Sequence, residues 1–326
     1  MKIFVTRKIP QPGLDLLKKH YTVEVNPFDR ALSKTEIMNG VQGKDGLLCL
    51  LTDPIDAEVI AVEPKLKMIA SYAVGYDNID IVAATKRKIP VSNTPDVLTE
   101  TTAELAWALL FAVSRRIIEA DAFTRDGKFT GWAPMLMLGQ DVSHKTLGII
   151  GTGRIGTAFA LKSKGFDMKI LYADKQKNQQ LEDELGAKRV TVEILLKESD
   201  FVSLHVPLTK ETQFLIDEQH LQLMKKTAIL INTSRGPIIR ETALVKALRQ
   251  HWIFGAGLDV YEKEPELSEE LKTLPNVILL PHVGSATLET RIKMALMAAK
   301  NMIAGLNDDV PPNCVNKEVF QNKPIM

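Results

Sequence analysis

Three polar residues of the sequence could together carry out acid–base chemistry on a substrate that bears a carboxylate. Arg235 lies in the segment NTSRG, Glu264 in YEKEP and His282 in PHVGS, and each segment follows a short apolar run. A guanidinium can bind a carboxylate through two hydrogen bonds and polarise an adjacent carbonyl. A histidine can give or take a hydroxyl proton near neutral pH, and a hydrogen-bonded carboxylate orients its ring and favours the imidazolium. Taken singly, Arg235 and His282 are equally compatible with a structural role, and Glu264 in isolation is better explained as part of a solvated acidic turn.

A glycine-rich segment predicts a dinucleotide-binding turn. Residues 146–150 read as an apolar strand, and they lead into Gly151, Gly153 and Gly156, which are followed by a helical pattern. The first glycine permits a tight turn, the second lets the backbone approach a pyrophosphate, and the third lets the helix pack against the strand. Helix N-terminal amides then face the phosphates. A turn without a ligand is the weaker alternative.

Asp174 favours NAD as the cofactor. It ends the next predicted strand, 18 positions after Gly156, close to the spacing of about 20 expected for the acidic residue that binds the ribose hydroxyls. A carboxylate there would repel a 2′-phosphate, although Lys175 and Lys177 follow closely and leave NADP as the alternative. His205, just before Val206 and Pro207 at another strand end, is expected to border the cofactor without a catalytic role.

The elements that must position these residues alternate between short apolar runs and longer amphipathic stretches. Strands are predicted at residues 1–6, 47–51, 67–71, 146–150, 168–173, 201–206, 228–232, 255–260 and 277–280. Helices are predicted at residues 99–123, 155–164, 192–198, 217–224, 241–249 and 287–306. Such alternation predicts an α/β fold with parallel sheets covered by helices on both faces. Arg235, Glu264 and His282 then all follow strands, at the edge where open parallel sheets bind ligands.

The length of 326 residues suits two domains. The two longest predicted helices mark the boundaries, so residues 99–290 are expected to form the dinucleotide-binding domain. Residues 1–98 and 291–326 are expected to form the second domain together.

Composition excludes several classes of protein. Lys plus Arg total 41 against 40 Asp plus Glu, so a net charge of +1 offers no basic field for nucleic acid or an anionic membrane. No signal-like or membrane-spanning apolar run is visible. The two cysteines and six scattered histidines predict neither a disulfide nor a metal site. We therefore expect a soluble cytoplasmic protein.

The order of the candidate residues along the chain resembles that of the D-isomer-specific 2-hydroxyacid dehydrogenase family. These residues are Gly151, Gly153, Gly156, Asp174, Arg235, Asp259, Glu264 and His282. The resemblance covers nearly the whole sequence. It is closest to the glyoxylate and hydroxypyruvate reductase branch, which the segments AVGYDNID at 73–80, TETTAE at 99–104 and HVGSAT at 282–287 carry. The resemblance implies two Rossmann-like doubly wound domains, with the dinucleotide-binding domain inserted in a flavodoxin-like substrate domain. Many glyoxylate reductases lack an acid at the position of Asp174 and prefer NADP, so this sequence departs from them there.

The resemblance also implies roles for individual residues. Arg235 would bind the substrate carboxylate and carbonyl, His282 would be the general acid in reduction, and Glu264 would be its partner. The backbone amides of Val74 and Gly75 would hold the substrate carboxylate. Trp132 would reach a neighbouring subunit's site across a homodimer interface, or else pack within a dimerisation loop. The remaining implied cofactor contacts are Thr102, Arg154, Ile155, Pro207, Thr233, Asp259 and Gly284.

The sequence thus predicts an oxidoreductase that reduces a small 2-oxo acid, glyoxylate or hydroxypyruvate, to the D-2-hydroxy acid with NADH. Two alternatives stay open at this stage. One is a reductase of a larger 2-oxo acid such as 2-ketogluconate or phenylpyruvate. The other is a nucleotide-sensing corepressor or scaffold built on the same fold.

Overall fold

A computed structural model describes residues 1–321, which divide into two α/β units. The first unit comprises Met1–Leu98 and the chain from Ala286 onward, and the second comprises Thr99–Ser285. The chain therefore returns to the first unit at Ala286, before the expected boundary at 290. A helix begins at Leu288, where the Thr287 side chain accepts a hydrogen bond from the Thr290 N–H, so position 290 lies inside its first turn. Residues 322–326 of the expected segment 291–326 lie outside the described residues.

The first unit is built on one parallel sheet. Numbered along the chain, its strands are β1 (Lys2–Val5), β2 (Thr22–Val25), β3 (Gly46–Cys49), β4 (Met68–Ser71) and β5 (Val91–Ser92). They pair in the order β2-β1-β3-β4-β5, which is the flavodoxin-like order.

Helices cover both faces of this sheet. They are α1 (Gln11–Lys18), α2 (Lys34–Val41), α3 (Ala57–Ala61), α4 (Ile81–Lys86) and, from the C-terminal segment, α13 (Leu288–Leu306). Ile37, Val59 and Ala84 of α2, α3 and α4 pack on the strand residues Leu47 and Ile69. On the other face, α13 packs so closely that a Cβ at Gly305 would meet the Met68 side chain.

The second unit holds a seven-stranded parallel sheet. Its strands are β6 (Thr146–Ile150), β7 (Lys169–Ala173), β8 (Lys188–Arg189), β9 (Phe201–Leu204), β10 (Ile229–Asn232), β11 (Gly255–Leu258) and β12 (Val277–Leu279). They pair in the order β12-β11-β10-β9-β6-β7-β8. The direction of winding reverses between β6 and β9, which is the topological switch point of a Rossmann fold.

Two apolar clusters lie on opposite faces of the second sheet. The helices are α5 (Thr99–Ser114), α6 (Ile117–Arg125), α7 (Arg154–Leu161), α8 (Gln179–Leu185), α9 (Val192–Glu198), α10 (Glu218–Leu223), α11 (Glu241–Arg249) and α12 (Glu269–Thr273). Short 3₁₀ turns follow at Lys162–Phe166 and Gly236–Ile238, and a third, at Lys317–Phe320, belongs to the first unit. Successive strand residues alternate between the clusters, with Ile149 in one and Ile150 in the other, because side chains of a strand point to alternate faces. The predicted doubly wound α/β fold is confirmed.

The long helix predicted at residues 99–123 is wrong, because the structure has two helices there. Arg116 adopts a left-handed conformation, with φ 52°, between α5 and α6. The Ser114 carbonyl accepts a hydrogen bond from the Gln140 N–H at 2.8 Å. Gly139 packs on the same carbonyl, which a Cβ would approach to 2.2 Å. A contact with a distant segment therefore accompanies the end of a helix that the apolar pattern alone would continue.

Within residues 1–321, no helix combines the length and the apolar character that a membrane span requires. In the same range, no group of three or more His, Cys, Asp or Glu side chains has the arrangement of a metal site.

Candidate active site

His282 and Glu264 form a hydrogen-bonded pair in the second unit. Nδ1 of His282 lies 2.8 Å from Oε2 of Glu264, and the two side chains are 25% and 29% exposed. The second carboxylate oxygen, Oε1, accepts a hydrogen bond from the Tyr261 N–H at 3.0 Å. His282 has a φ of 55°, an uncommon backbone conformation for a residue with a side chain. Since Nδ1 faces the carboxylate, Nε2 is the ring nitrogen that can exchange a proton with a substrate.

Asp259 anchors the segment that carries His282. Its carboxylate is buried and accepts hydrogen bonds from the N–H groups of Val283 and Gly284 at 2.7 and 2.8 Å. Burial raises the pKa of Asp259 above its ordinary value, while the two N–H donors and the neighbouring His282 oppose that rise. Thr102 completes the group, since a Cβ at Gly284 would come within 3.4 Å of it. The fold thus brings together three predicted cofactor contacts, although their role toward a cofactor stays a prediction.

Arg235 follows β10 in a segment held by its own neighbours. The Asn232 side-chain amide donates a hydrogen bond to the Arg235 carbonyl at 2.9 Å, and Nη1 of Arg235 donates to the Ser234 carbonyl at 2.8 Å. A Cβ at Gly236 would lie only 1.8 Å from the Tyr261 carbonyl oxygen. Because β10, β11 and β12 are adjacent parallel strands, the segments after them lie at one edge of the sheet.

The three glycines of the turn after β6 have different surroundings. Gly151 has a φ of 91°, and a Cβ there would lie 2.7 Å from Val206. A Cβ at Gly156 would lie 2.0 Å from the Gly151 carbonyl oxygen, whereas a Cβ at Gly153 would meet no atom within 4 Å. Gly153 precedes α7, whose first turn has no side-chain cap. The turn therefore presents the amides of Arg154 and Ile155 beside open space, as a pyrophosphate requires.

Asp174 lies at the end of β7, next to this turn. Its carboxylate accepts hydrogen bonds from the N–H groups of Thr152 and Gln176 at 2.7 and 3.1 Å. Burial alone would raise the pKa of Asp174, but these donors outweigh it and hold the pKa below its ordinary value. Lys177 is paired with Glu182 at 2.8 Å. Asp174 is thus an ionised carboxylate beside the glycine turn, and its role toward a ribose stays a prediction.

His205 and Thr233 provide two further polar groups at the carboxyl edge. His205 follows β9 at the switch point, and its Nε2 lies 2.8 Å from the Ser203 hydroxyl. Burial lowers the pKa of His205 to about 3, so its ring is neutral at physiological pH. The Thr233 hydroxyl is buried and has no hydrogen-bond partner among residues 1–321. A buried hydroxyl of this kind calls for a ligand or water partner, so the residues present fit NAD(P). Pro207, two positions after His205, is exposed.

Comparison with known proteins identifies the family. The sequence model described as D-isomer specific 2-hydroxyacid dehydrogenase, NAD binding domain, matches residues 107–284. A glyoxylate reductase of Thermococcus litoralis is 53% identical over 327 aligned positions, which cover 99% of each chain.

The chain belongs to the D-isomer specific 2-hydroxyacid dehydrogenase family.

Solved structures of similar proteins agree with this assignment. A protein of Thermus thermophilus is 44% identical, with a TM-score of 0.90 over 97% of this chain and 100% of its own. An NADPH-dependent glyoxylate/hydroxypyruvate reductase of Sinorhizobium meliloti, solved with NADP and malonate, is 31% identical. Its TM-score is 0.88 over 99% of each chain. The predicted family and the predicted class, an NAD(P)-dependent dehydrogenase, are confirmed.

Three further site residues are predicted besides those described above. Val74 and Gly75 belong to the first unit of this dehydrogenase, after β4, where the Asn93 side-chain amide donates a hydrogen bond to the Val74 carbonyl at 2.8 Å. Trp132 belongs to the second unit and is 85% exposed. Their roles toward substrate stay predictions.

Sequence reasoning missed residues that hold the candidate site residues of this dehydrogenase in place. Tyr261 donates hydrogen bonds to Glu264 and to the Leu280 carbonyl, and Thr152 donates to Asp174. Tyr261 stands in the segment between Asp259 and Glu264, but no spacing rule marks it. Only the pairing of β11 with β12 brings it to Leu280.

Proposed function

We propose that this dehydrogenase reduces glyoxylate to glycolate, with hydroxypyruvate as an alternative substrate, and that NADH is its reductant. The observation that carries the proposal is the His282–Glu264 pair, 2.8 Å apart, at the sheet edge where the Arg235 segment also lies. The 53% identity to the Thermococcus litoralis glyoxylate reductase supports glyoxylate as the substrate.

Each residue of the site has a defined task in this reaction. Arg235 binds the substrate carboxylate and polarises the adjacent carbonyl. His282 donates the proton on Nε2 to the carbonyl oxygen, and Glu264 fixes the ring and stabilises its protonated form before transfer. The bound dinucleotide supplies the hydride that the carbonyl carbon receives. Asp259 holds the His282 segment through Val283 and Gly284 while the proton moves.

The preference for NADH rests on Asp174. Its ionised carboxylate accepts hydrogen bonds from the ribose hydroxyls of NADH and repels the 2′-phosphate of NADPH. Lys177 is engaged by Glu182, and the guanidinium of Arg189 donates to the carbonyls of Asp174 and Lys175. These contacts reduce the ability of both cations to bind a phosphate. The Sinorhizobium relative is NADPH-dependent by its description, so this preference distinguishes the two proteins.

A cytoplasmic homodimer is the proposed form of the protein. Its support is a run of exposed large apolar side chains between positions 117 and 138, which we call the apolar segment: Ile117, Ile118, Phe129, Trp132, Met135, Leu136 and Leu138. Apolar patches of this kind on a folded protein mark interaction surfaces. Trp132, the most exposed of them, would cross the interface.

Absorbance-monitored oxidation of NADH and NADPH, with glyoxylate, hydroxypyruvate, pyruvate and 2-ketogluconate in parallel, tests the substrate and cofactor. We expect the highest kcat/KM for glyoxylate or hydroxypyruvate with NADH. Faster turnover of 2-ketogluconate would move the assignment to the larger 2-oxo acids. Cofactor binding without turnover of any acid would favour the nucleotide-sensing alternative.

Two variants test the catalytic assignments. His282→Ala and Arg235→Ala should each lower kcat/KM by about 10²-fold or more, since general acid catalysis alone contributes about 10²–10⁴-fold. NADH affinity, measured by fluorescence titration, should stay close to that of the unaltered protein. His20→Ala, at an exposed position of the first unit, is the control. Near-normal turnover in either site variant would contradict its assigned role.

A further inference from the structure

Tyr261 contacts the segments that carry both members of the acid–base pair. Its side chain is buried, its backbone N–H donates to Glu264 Oε1 at 3.0 Å, and its hydroxyl donates to the Leu280 carbonyl at 2.7 Å. Leu280 stands two positions before His282. Tyr261 therefore connects the carboxylate of the pair to the strand end from which the histidine emerges.

The Arg235 segment rests on the same residue. A Cβ at Gly236 would lie 1.8 Å from the Tyr261 carbonyl oxygen and 2.5 Å from its Cα, so the two backbones are in direct contact. A side chain at Gly236 could not be accommodated without moving one of the two segments. The relative position of Arg235 and Glu264 thus depends on this contact.

Two further carboxylates fasten the segment that carries Glu264. Glu262 accepts a hydrogen bond from the Glu241 N–H at 2.8 Å, and Glu241 accepts in return from the Glu262 N–H at 3.3 Å. The other oxygen of Glu241 accepts from the Ser268 N–H at 3.1 Å. Glu241 is the first residue of α11, which follows the Arg235 segment. The start of this helix and the Glu264 loop are therefore joined by three side-chain-to-backbone hydrogen bonds.

We propose that Tyr261, Glu241 and Glu262 are positioning residues that hold Glu264 at hydrogen-bonding distance from His282 and in register with Arg235. Glu264 needs such support because its side chain is 29% exposed and would otherwise sample several rotamers. Reaction rates depend on placing the acting groups to within a fraction of an ångström. This inference rests on the proposed function for its kinetic effect but not for its structural effect.

The hydroxyl of Tyr261 is suited to this task at any working pH. Burial raises the pKa of Tyr261, and the neighbouring carboxylates of Asp259, Glu264 and Glu241 raise it further. The hydroxyl therefore stays protonated and keeps its bond to the Leu280 carbonyl. Two acidic side chains of the second unit interact with His282. Glu264 is hydrogen-bonded to its ring, and Asp259 interacts with it electrostatically.

Tyr261→Phe and Glu241→Gln test the proposal. Each removes one hydrogen bond with little change in side-chain size, and each should lower kcat for glyoxylate about threefold to tenfold, the range expected for one hydrogen bond. Because a displaced Glu264 stabilises the imidazolium less, the alkaline limb of the kcat/KM profile should move to lower pH. Affinity for NADH should stay within about twofold of the original, since neither residue adjoins the glycine turn.

Matched controls separate positioning from a general loss of stability. Tyr21→Phe removes a hydroxyl hydrogen bond to Asn307 in the first unit, and Glu198→Gln removes an ion pair with Lys169 in the second. None of these residues belongs to the segments after β10, β11 and β12. The controls should share any drop in melting temperature but keep the original pH profile. An unchanged profile and kcat in both site variants would overturn the proposal.

An NMR titration of the histidine ring signals tests the positioning role without relying on turnover of a substrate. His282 is assigned through the loss of its signal in His282→Ala. A midpoint for His282 that is lower in Tyr261→Phe and Glu241→Gln than in the unaltered protein supports positioning, even if glyoxylate is not the substrate. Unmoved midpoints in an active enzyme would overturn the positioning role and leave the proposed function standing.

Discussion

At the scale of single residues, the carboxylates of the site hold backbone as well as side chains. Asp259 uses both oxygens on the N–H groups of Val283 and Gly284, and Glu264 divides its oxygens between His282 and the Tyr261 N–H. Asp174 likewise binds the N–H of Thr152. Each acid therefore fixes part of the backbone of a candidate-site loop, and its replacement alters geometry as well as charge.

The neutral state of His205 predicts a pH-dependent stability. Its pKa is about 3 in the folded protein against an ordinary 6.5, so between these values the unfolded chain binds a proton that the native protein does not. Stability should therefore fall as the pH drops below about 6.5, by up to about 1.4 kcal/mol per pH unit. Urea unfolding at a series of pH values down to about pH 5, compared between the original protein and His205→Gln, measures this. Parallel dependences in the two proteins would contradict the assignment.

The charge of Asp174 predicts a change of cofactor preference. Asp174→Asn removes the charge but keeps an oxygen for the Thr152 N–H, so the turn should survive. The ratio of kcat/KM for NADH to that for NADPH should fall about tenfold, equivalent to about 1.4 kcal/mol of lost discrimination. Asp183→Asn, on an exposed part of α8, serves as the control. An unchanged ratio would mean that Asp174 does not face the ribose.

At the scale of elements, the turn between β6 and α7 contains glycines that the fold requires and one that it does not require. Gly151 and Gly156 are required by contacts inside the unit, because any Cβ would overlap neighbouring backbone. Gly153 has no such neighbour, and its φ of −66° suits any residue. The fold alone therefore does not account for the glycine at position 153.

Gly153→Ala should consequently leave the cofactor-free protein intact but weaken cofactor binding. We expect an unchanged melting temperature without NADH and a dissociation constant for NADH raised about tenfold or more, since the new methyl group occupies the approach to the pyrophosphate. Gly151→Ala should instead lower the melting temperature itself, because of its φ of 91°. Normal NADH affinity in Gly153→Ala would place the pyrophosphate elsewhere.

At the scale of the whole molecule, each unit builds its own core on its own parallel sheet. The second unit is one continuous stretch of chain, Thr99–Ser285, whereas the first is made from both ends of the described chain. The C-terminal part is secured there by α13 and by the Val315 N–H, which donates to the Val91 carbonyl at 2.7 Å. Removal of α13 would therefore expose the side of β3 and β4 on which it packs.

The apolar segment predicts self-association. Light scattering should give a mass about twice the 36.2 kDa of one chain, and Met135→Glu should shift it toward the monomer. A buried, unpaired carboxylate in an apolar interface is strongly unfavourable. Val82→Glu, at a 65% exposed position of the first unit, places the same charge outside the segment and should leave the dimer intact. A monomeric mass for the unaltered protein would overturn the dimer.

Local signals in the sequence sufficed for the α/β class and for most strands of the second unit. The glycine spacing, Asp174 and the polar residues after β10, β11 and β12 could be recognised because each depends on its near neighbours in the chain. The edge strand β2 was missed, since its residues are only half-buried or exposed and form no apolar run.

Other features depend on which strands become neighbours, and only the tertiary structure decides them. The backbone N–H of Gln140 donates a hydrogen bond to the carbonyl of Ser114, 26 positions earlier, at the end of α5. The Tyr261 hydroxyl reaches a carbonyl 19 positions away, and Asp259 holds N–H groups 24 and 25 positions away. No local pattern encodes such pairs, because their hydrogen bonds form only when the sheet has assembled in its order. The sequence therefore determined which residues can do chemistry, and the sheet order determined which contacts hold them in place.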